Sequence, residues 1–309
     1  MNIVTLTLNP AFDVHCTAEA FAAHRENFAS VTSREAGGKG INVSRALCSG
    51  GTENTAIAVL GEENGQEFER ILASDGLKTR MFYTPGRIRE NITVHAPDGE
   101  SRLSFSGPEV SPALLDAVRE EILRMAGDGD FLIFSGSLPS GISVPAAVDF
   151  LKSLSEKGIR VVTDCRSFGM KEWKEIRPYL IKPNEEEIAH CLQKSSVGEE
   201  EMLAAARELY RGGVRNVMIS LGKKGALLVC GDGEFSAVPP ACPVVSTIGA
   251  GDSSIAGFVA AAACGEDTVT CLKTAMAYGC SACKTEGTRP PRKEDILSAL
   301  GETKAERCL

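Results

Sequence analysis

The sequence predicts an α/β protein: a three-layer sandwich around a mostly parallel central sheet, with a small second β-sheet projecting from it as a lid. Two observations predict it. Short apolar runs rich in β-branched residues alternate with longer amphipathic stretches along most of the 309 residues, as expected of a parallel sheet covered on both faces by helices. Two segments, about 12–34 and 83–107, break the alternation and carry no long helix.

Strands are expected at Ile3–Leu8, Thr55–Leu60, Phe131–Phe134, Arg160–Thr163, Tyr179–Ile181, Val217–Ser220 and Ala226–Cys230. Helices are expected at Pro112–Met125, Val144–Glu156, Glu199–Arg211 and Ile255–Cys264. In the second interruption, Asn91–His95 and Ser101–Phe105 alternate in polarity about Pro97-Asp98-Gly99, a β-hairpin signal. The projecting sheet reads either as decoration or as a lid that excludes water from a transfer reaction. With no internal repeat, low-complexity tract or linker, residues 1–309 are read as one domain.

Composition narrows the partners. Hydrophobic residues make up 43% and charged residues 24% of the chain, and 41 acidic against 33 basic residues give a net charge of −8. No basic block offsets that charge, so nucleic acid and anionic membranes are disfavoured partners. Met1–Leu8 reads as a strand and not as a signal peptide, and no apolar run approaches the ~20 residues of a membrane span. The 11 scattered cysteines fit reduced thiols in a cytoplasmic protein. Cys280 and Cys283 form a C-x-x-C pair in an Ala-rich helical stretch, without the second pair or nearby histidine that a metal site needs. His15, His24, His95 and His190 have no metal or triad spacing.

The chemistry gathers at Gly249-Ala250-Gly251-Asp252, a small-residue turn opening into an apolar helix. Small residues let backbone amides approach an anion, and the helix N-terminus favours negative charge. That suits the charge spread over a transferring phosphoryl group. Asp252 beside these amides is placed either to accept a hydroxyl proton or to cap the helix. A second glycine loop, Gly37-Gly38-Lys39-Gly40, precedes a helix bearing Asn42. It is neither a dinucleotide fingerprint nor a Walker loop, and Lys39 and Asn42 can hold a sugar and an anionic group. Asn184 and Glu187 share one face of a helix start and can hold Mg²⁺-bound water, Mg²⁺ taking few direct protein ligands, or can simply cap the helix. Ser220 to Gly225 is a tight turn that can pass under a nucleotide or be a plain hairpin.

These segments, in this order, resemble the ribokinase-like (PfkB) carbohydrate kinase family across essentially the whole chain. One signature runs from Gly37-Gly38 through Asn42 and Ser44 to Gly51 and Gly61, and the other from Ser246 through Gly249–Asp252 to Val259. Thr7–Asp13, Gly38-Lys39-Gly40, Phe105–Pro108 and Ser135–Pro139 are similar to the 1-phosphofructokinase and tagatose-6-phosphate kinase branch. The resemblance implies ATP-dependent phosphorylation of a ketohexose phosphate, fructose 1-phosphate first, with tagatose 6-phosphate or fructose 6-phosphate as alternatives. It implies Asp252 as base, with Gly249, Ala250 and Gly251 on the transferring group. Asp13, Gly38, Lys39, Asn42, Arg89 and Ser137 would serve the sugar phosphate. Ser220, Gly222, Gly225 and Gly251 would line the ATP site, Asn184 and Glu187 would serve Mg²⁺, and a homodimer would form through the lid.

Arg87 and Arg89, just before the hairpin, suit bidentate phosphate capture. Strand alternation turns the neighbouring Glu90 away. Asp164-Cys165-Arg166-Ser167 departs from the branch's pattern and leaves Arg166 without a role, while Ala277–Lys284 is expected beside the adenine. The rival readings are a kinase of neutral sugars or nucleosides, a sugar-phosphate or nucleotide sensor without activity, and a dinucleotide-dependent oxidoreductase.

Overall fold

The structure, a computed structural model, describes residues 1–308. β1 (Ile3–Thr7) leads into the pair β2 (Ala11–Ala18) and β3 (Ala29–Gly37), and α1 (Lys39–Gly50) follows at once. β4 (Thr55–Gly61), α2 (Gly65–Ser74) and β5 (Thr79–Thr84) precede the hairpin β6 (Arg89–Ala96) and β7 (Gly99–Ser104). Helix and strand then alternate through α3 (Pro112–Met125), β8 (Phe131–Ser135), α4 (Val144–Ser155), β9 (Arg160–Asp164) and α5 (Met170–Ile176). They continue through β10 (Leu180–Ile181), α6 (Glu185–Cys191), α7 (Glu199–Arg211), β11 (Asn216–Ser220), β12 (Ala226–Cys230) and β13 (Gly233–Val238). The chain closes with α8 (Ala250–Ala263), α9 (Thr268–Ala282), α10 (Lys293–Glu302) and β14 (Lys304–Arg307).

The main sheet has ten strands in the order β14-β13-β12-β11-β10-β9-β8-β1-β4-β5. From β11 to β5 every pairing is parallel, and β12 to β14 add an antiparallel edge. Both faces are covered, so its strands are apolar on both sides. In β8, Leu132 and Phe134 face the core under α3, α4 and α7, whereas Phe131 and Ile133 face the core under α1, α8 and α9. The three-layer expectation holds. β5 takes residues 79–84 into the main sheet, so the hairpin begins only at Arg89.

α8 starts at Ala250, ahead of the expected Ile255, because residues 250–254 are small and carry no apolar period to read. Its seating against α9 depends on glycine. A Cβ on Gly257 would lie 2.6 Å from the Thr274 carbonyl oxygen, and one on Gly279 would lie 2.3 Å from Ser254 Oγ. Close packing of this kind fixes the N-terminus of α8 on the sheet.

The second sheet has the order β3-β2-β6-β7. Phe12, Val14 and Val94 pack with Leu60, Phe68, Leu72 and Ile88 in a third apolar cluster. The pleat turns Asp13, Asn91 and Thr93 to the opposite face, with Asp13 in register with Glu35 on one side and Asn91 on the other. All 11 cysteines are free thiols. No helix among the described residues is long and apolar enough to cross a membrane.

Candidate active site

The predicted residues converge at the carboxyl ends of the parallel strands, where ligands bind in open α/β sheets. Gly249, at φ 79°, is the N-cap of α8, and no side chain caps the helix. Asp252 is therefore not the cap. It is 6% exposed in the first turn, and its Oδ2 accepts a 2.9 Å hydrogen bond from Asn42 Nδ2. That bond joins the two glycine-loop motifs. First-turn amides have no partner within a helix, which leaves those of Gly251 and Asp252 available to an anion.

Lysines stand around this turn. Lys39, the first residue of α1, donates to Asp164 Oδ2 at 2.9 Å. Burial works against the Lys39 charge, but Asp164, Asp252 and Glu187 together raise its pKa. Asp164 is buried, and Lys182 and Lys39 hold its carboxyl below the ordinary range despite that burial. Lys182 reaches the turn itself, since a Cβ on Gly251 would lie 3.0 Å from its Nζ. Asp252 is pushed up to about 6, mainly by burial and then by the Asp164 charge, with Lys39, Asn42 and Lys182 opposing. The Lys39 ion pair belongs to this cluster. Lys182 was not singled out by sequence reading, although it stands in the Lys-Pro-Asn run that carries Asn184.

Asn184 and Glu187 form a complete capping box on α6. Asn184 Oδ1 accepts from the Glu187 amide at 2.8 Å, and Glu187 Oε2 accepts from the Asn184 amide at 3.0 Å. Asn184 also bridges Ser220, bringing the Ser220–Gly225 turn alongside. Gly222 and Gly225 take φ 58° and 97°, and a Cβ on Gly225 would lie 1.9 Å from the Ala237 carbonyl oxygen. Asp164, Arg166, Lys182, Asn184 and Glu187 share the wall of a cavity of about 330 Å³. A larger cavity of about 430 Å³ lies behind α1 and contains none of the predicted site residues.

In the small sheet, Asp13 Oδ1 accepts from Asn91 Nδ2 at 2.8 Å. Gly37 leaves room for that carboxylate, because a Cβ there would lie 2.1 Å from Asp13 Oδ2. Gly38, at φ 141°, is the N-cap of α1 beneath it. Ser137 Oγ accepts from Asn9 Nδ2 at 3.0 Å. Arg89 donates to the Asn9 carbonyl at 3.4 Å and to Asn91 Oδ1 at 3.1 Å. Arg87 is 62% exposed and reaches Glu63 at 3.5 Å, so the arginine pair expected from sequence is split. Glu90 pairs with Arg34 at 2.8 Å. Arg102, on β7, lies 3.8 Å from Asp13 Oδ1. Sequence reading missed it, for in an alternating hairpin it looks like any exposed strand arginine. Across the site Thr7 Oγ1, Asn9 Oδ1, Asn42 Oδ1, Ser135 Oγ and Thr163 Oγ1 are buried without a partner, and such atoms call for a ligand or water. On the expected adenine side, the Cys283 carbonyl accepts from the Val245 and Ser246 amides.

A buried acid, two lysines and open amides at a helix N-terminus, set at the carboxyl ends of a parallel sheet, make an anion-binding site with a candidate base beside it. The chain belongs to the pfkB family of carbohydrate kinases, whose model matches residues 10–295. It is 35% identical over 306 residues to a 1-phosphofructokinase of Rhodobacter capsulatus, covering 98% of this chain and 96% of that one. It is 34% identical over 258 residues to a 1-phosphofructokinase of Escherichia coli K12, covering 83% of each. The crystal structure of phosphofructokinase-2 from Escherichia coli in complex with potassium superposes with a TM-score of 0.89 at 26% identity, covering 97% of this chain and 98% of that one.

Proposed function

We propose that this kinase transfers the γ-phosphoryl group of ATP to fructose 1-phosphate, giving fructose 1,6-bisphosphate. The observation that carries the substrate is likeness over nearly the full chain to proteins named 1-phosphofructokinase. The half-buried Arg89, whose hydrogen-bond acceptors among the described residues are all neutral, supports a substrate that brings its own anion. Fructose 6-phosphate is the second reading, since phosphofructokinase-2 in complex with fructose-6-phosphate superposes with a TM-score of 0.89 at 25% identity.

In the mechanism, Asp252 takes the proton of the sugar's free primary hydroxyl as that oxygen attacks the γ-phosphorus. The bond to the β-phosphate oxygen breaks, and ADP leaves with the electron pair. Lys39, Lys182 and the open amides of the Gly249–Asp252 turn take up the spreading charge. General-base help of this kind contributes ~10²–10⁴-fold, and charge stabilisation and positioning supply the rest. Asp13 and Ser137 hold sugar hydroxyls, Asn42 orients Asp252, and the Ser220–Gly225 turn passes under the nucleotide. The four-stranded sheet acts as a lid that keeps water from the phosphoryl group.

Asn184 and Glu187 fit a hydrated Mg²⁺, which takes few direct protein ligands. One Glu187 oxygen is spent on the cap, and among the described residues no cluster of three His, Cys, Asp or Glu is arranged to hold a metal. When bound, Mg²⁺ would neutralise charge on the ATP phosphates.

The test is coupled ADP release over fructose 1-phosphate, tagatose 6-phosphate, fructose 6-phosphate, fructose, ribose and adenosine. Fructose 1-phosphate should show the highest kcat/KM. A preference for an unphosphorylated acceptor sinks the substrate reading, and ATP turnover with none of them favours a sensor.

A further inference from the structure

Arg89 on β6 and Arg102 on β7 lie on the same side of Asp13 in the strand order and are offset from it in opposite directions along the strands. Asn91 is in register with Asp13 on β2 and with Ser104 on β7, and Thr93 is in register with Arg102. The pleat therefore turns Asp13, Arg89, Asn91, Thr93 and Arg102 to one face. From β7 the Arg102 guanidinium reaches over β6 to Asp13 Oδ1, but at 3.8 Å it is too far for a hydrogen bond. Arg89 has no carboxylate within ion-pair distance among the described residues, and its two acceptors are neutral.

The other acids on this face are occupied. Glu35 accepts from the Thr288 hydroxyl at 3.5 Å, and Glu100 pairs with His95 at 3.0 Å. Asp13 already accepts from Asn91. Two guanidiniums thus share one carboxylate that satisfies neither. Burial lowers the Arg89 pKa and the like charge of Arg102 adds to this, with Asp13 opposing. A dianion lodged between two planar forks would satisfy both arginines with bidentate, charge-assisted hydrogen bonds.

We propose that Arg102 joins Arg89 in clamping the phosphate that the sugar already carries. Arg102 swings off Asp13 as the phosphate seats, which leaves that carboxylate to the sugar hydroxyls. The proposal rests on the reading of this kinase as one that acts on a sugar phosphate.

The experiment compares wild type, Arg102→Ala, Arg102→Gln, Arg89→Ala and the Arg89→Ala/Arg102→Ala double variant. KM is measured for fructose 1-phosphate and for fructose, and Ki for inorganic phosphate competing with fructose 1-phosphate. Charge-assisted hydrogen bonds are worth roughly 1.5–3 kcal/mol, so Arg102→Ala should raise KM for fructose 1-phosphate about 10–100-fold. Ki for phosphate should weaken in parallel, with KM for fructose held within about twofold. The double variant should lose less than the product of the single losses, because both arginines hold one group. Arg102 is 55% exposed, so its variants should melt like wild type, and Arg102→Gln repeats the test at nearly constant side-chain length. An unchanged KM for fructose 1-phosphate, or equal rises for both sugars, overturns the clamp. If wild type itself prefers fructose, the substrate reading fails; if it prefers fructose 1-phosphate while Arg102→Ala changes nothing, the clamp alone fails.

Discussion

Asp252 gains its basicity from the burial that makes it costly to keep. Its pKa stands at about 6, against an ordinary aspartate value near 4. Folding therefore favours its protonated form, and its charge costs nothing to stability at pH below about 4. The cost grows as pH rises through 6 and is then constant, on the order of 2–3 kcal/mol. Asp252→Asn mimics the protonated acid and still offers Asn42 an acceptor. It should lower kcat by about 10²–10⁴-fold while raising Tm by several degrees at pH 7.5 and leaving Tm unchanged at pH 4. Near-normal kcat removes Asp252 from the role of base. The same pKa places the acid limb of kcat/KM near pH 6, where the substrate phosphate also titrates. Asp164 separates the two ionisations, since its charge helps raise Asp252 and it does not belong to the substrate. Asp164→Asn should move the limb to lower pH. A limb that stays in place belongs to the substrate.

At the scale of elements, Glu187 of α6 caps its own helix, and the proposed Mg²⁺ role would be a second duty for the same carboxylate. Its capping box satisfies two amides at the helix start, and losing such a cap typically costs about 1 kcal/mol. Glu187→Gln keeps an acceptor for the Asn184 amide but removes the charge, so Tm should hold while the Mg²⁺ concentration for half-maximal activity rises several-fold. Asn184→Ala should lower Tm as well. Equal Mg²⁺ dependence in wild type and Glu187→Gln would leave Glu187 as a cap alone. Elements were legible where their apolar period is long, as in Pro112–Met125, or where the apolar run is unbroken, as in Phe131–Phe134. They were obscure where small or short segments carry none, as in the first turn of α8 and in the edge strand β14. The capping geometry of Asn184 and Glu187 was readable from a spacing of three, whereas the place of Lys182 was not. Only the folded structure shows that its ammonium faces Gly251, 3.0 Å from where a Cβ would stand.

At the scale of the molecule, the site forms across long separations in the chain. The Asn42–Asp252 bond spans 210 residues and Lys39–Asp164 spans 125. Sequence patterns named those residues through their motifs, but the motifs do not carry the distances. Arg102 has no motif at all, and it joins the site only through the pleat and register of the lid. That lid also leaves apolar surface open. Phe28 is 81% exposed, Val31 65%, Leu103 50% and Phe105 52%, with Val31 opposite Cys16 and Leu103 opposite Ile92 in register. Burying side chains of this size contributes roughly 1.5–3 kcal/mol each, against a cost of about 4–15 kcal/mol for association. Burying such residues from two copies would recover an amount comparable to that cost, which supports the homodimer through the lid that the family resemblance implies. At micromolar concentration the protein should sediment at twice its chain mass, and Val31→Lys/Leu103→Lys should sediment as a monomer with its fold intact by circular dichroism. A wild-type monomer refutes lid pairing outright, and a dimer that survives both lysines places the interface elsewhere. If the covered lid also keeps water from the phosphoryl group, the monomeric variant should release more ADP without sugar than wild type does, measured under identical ATP.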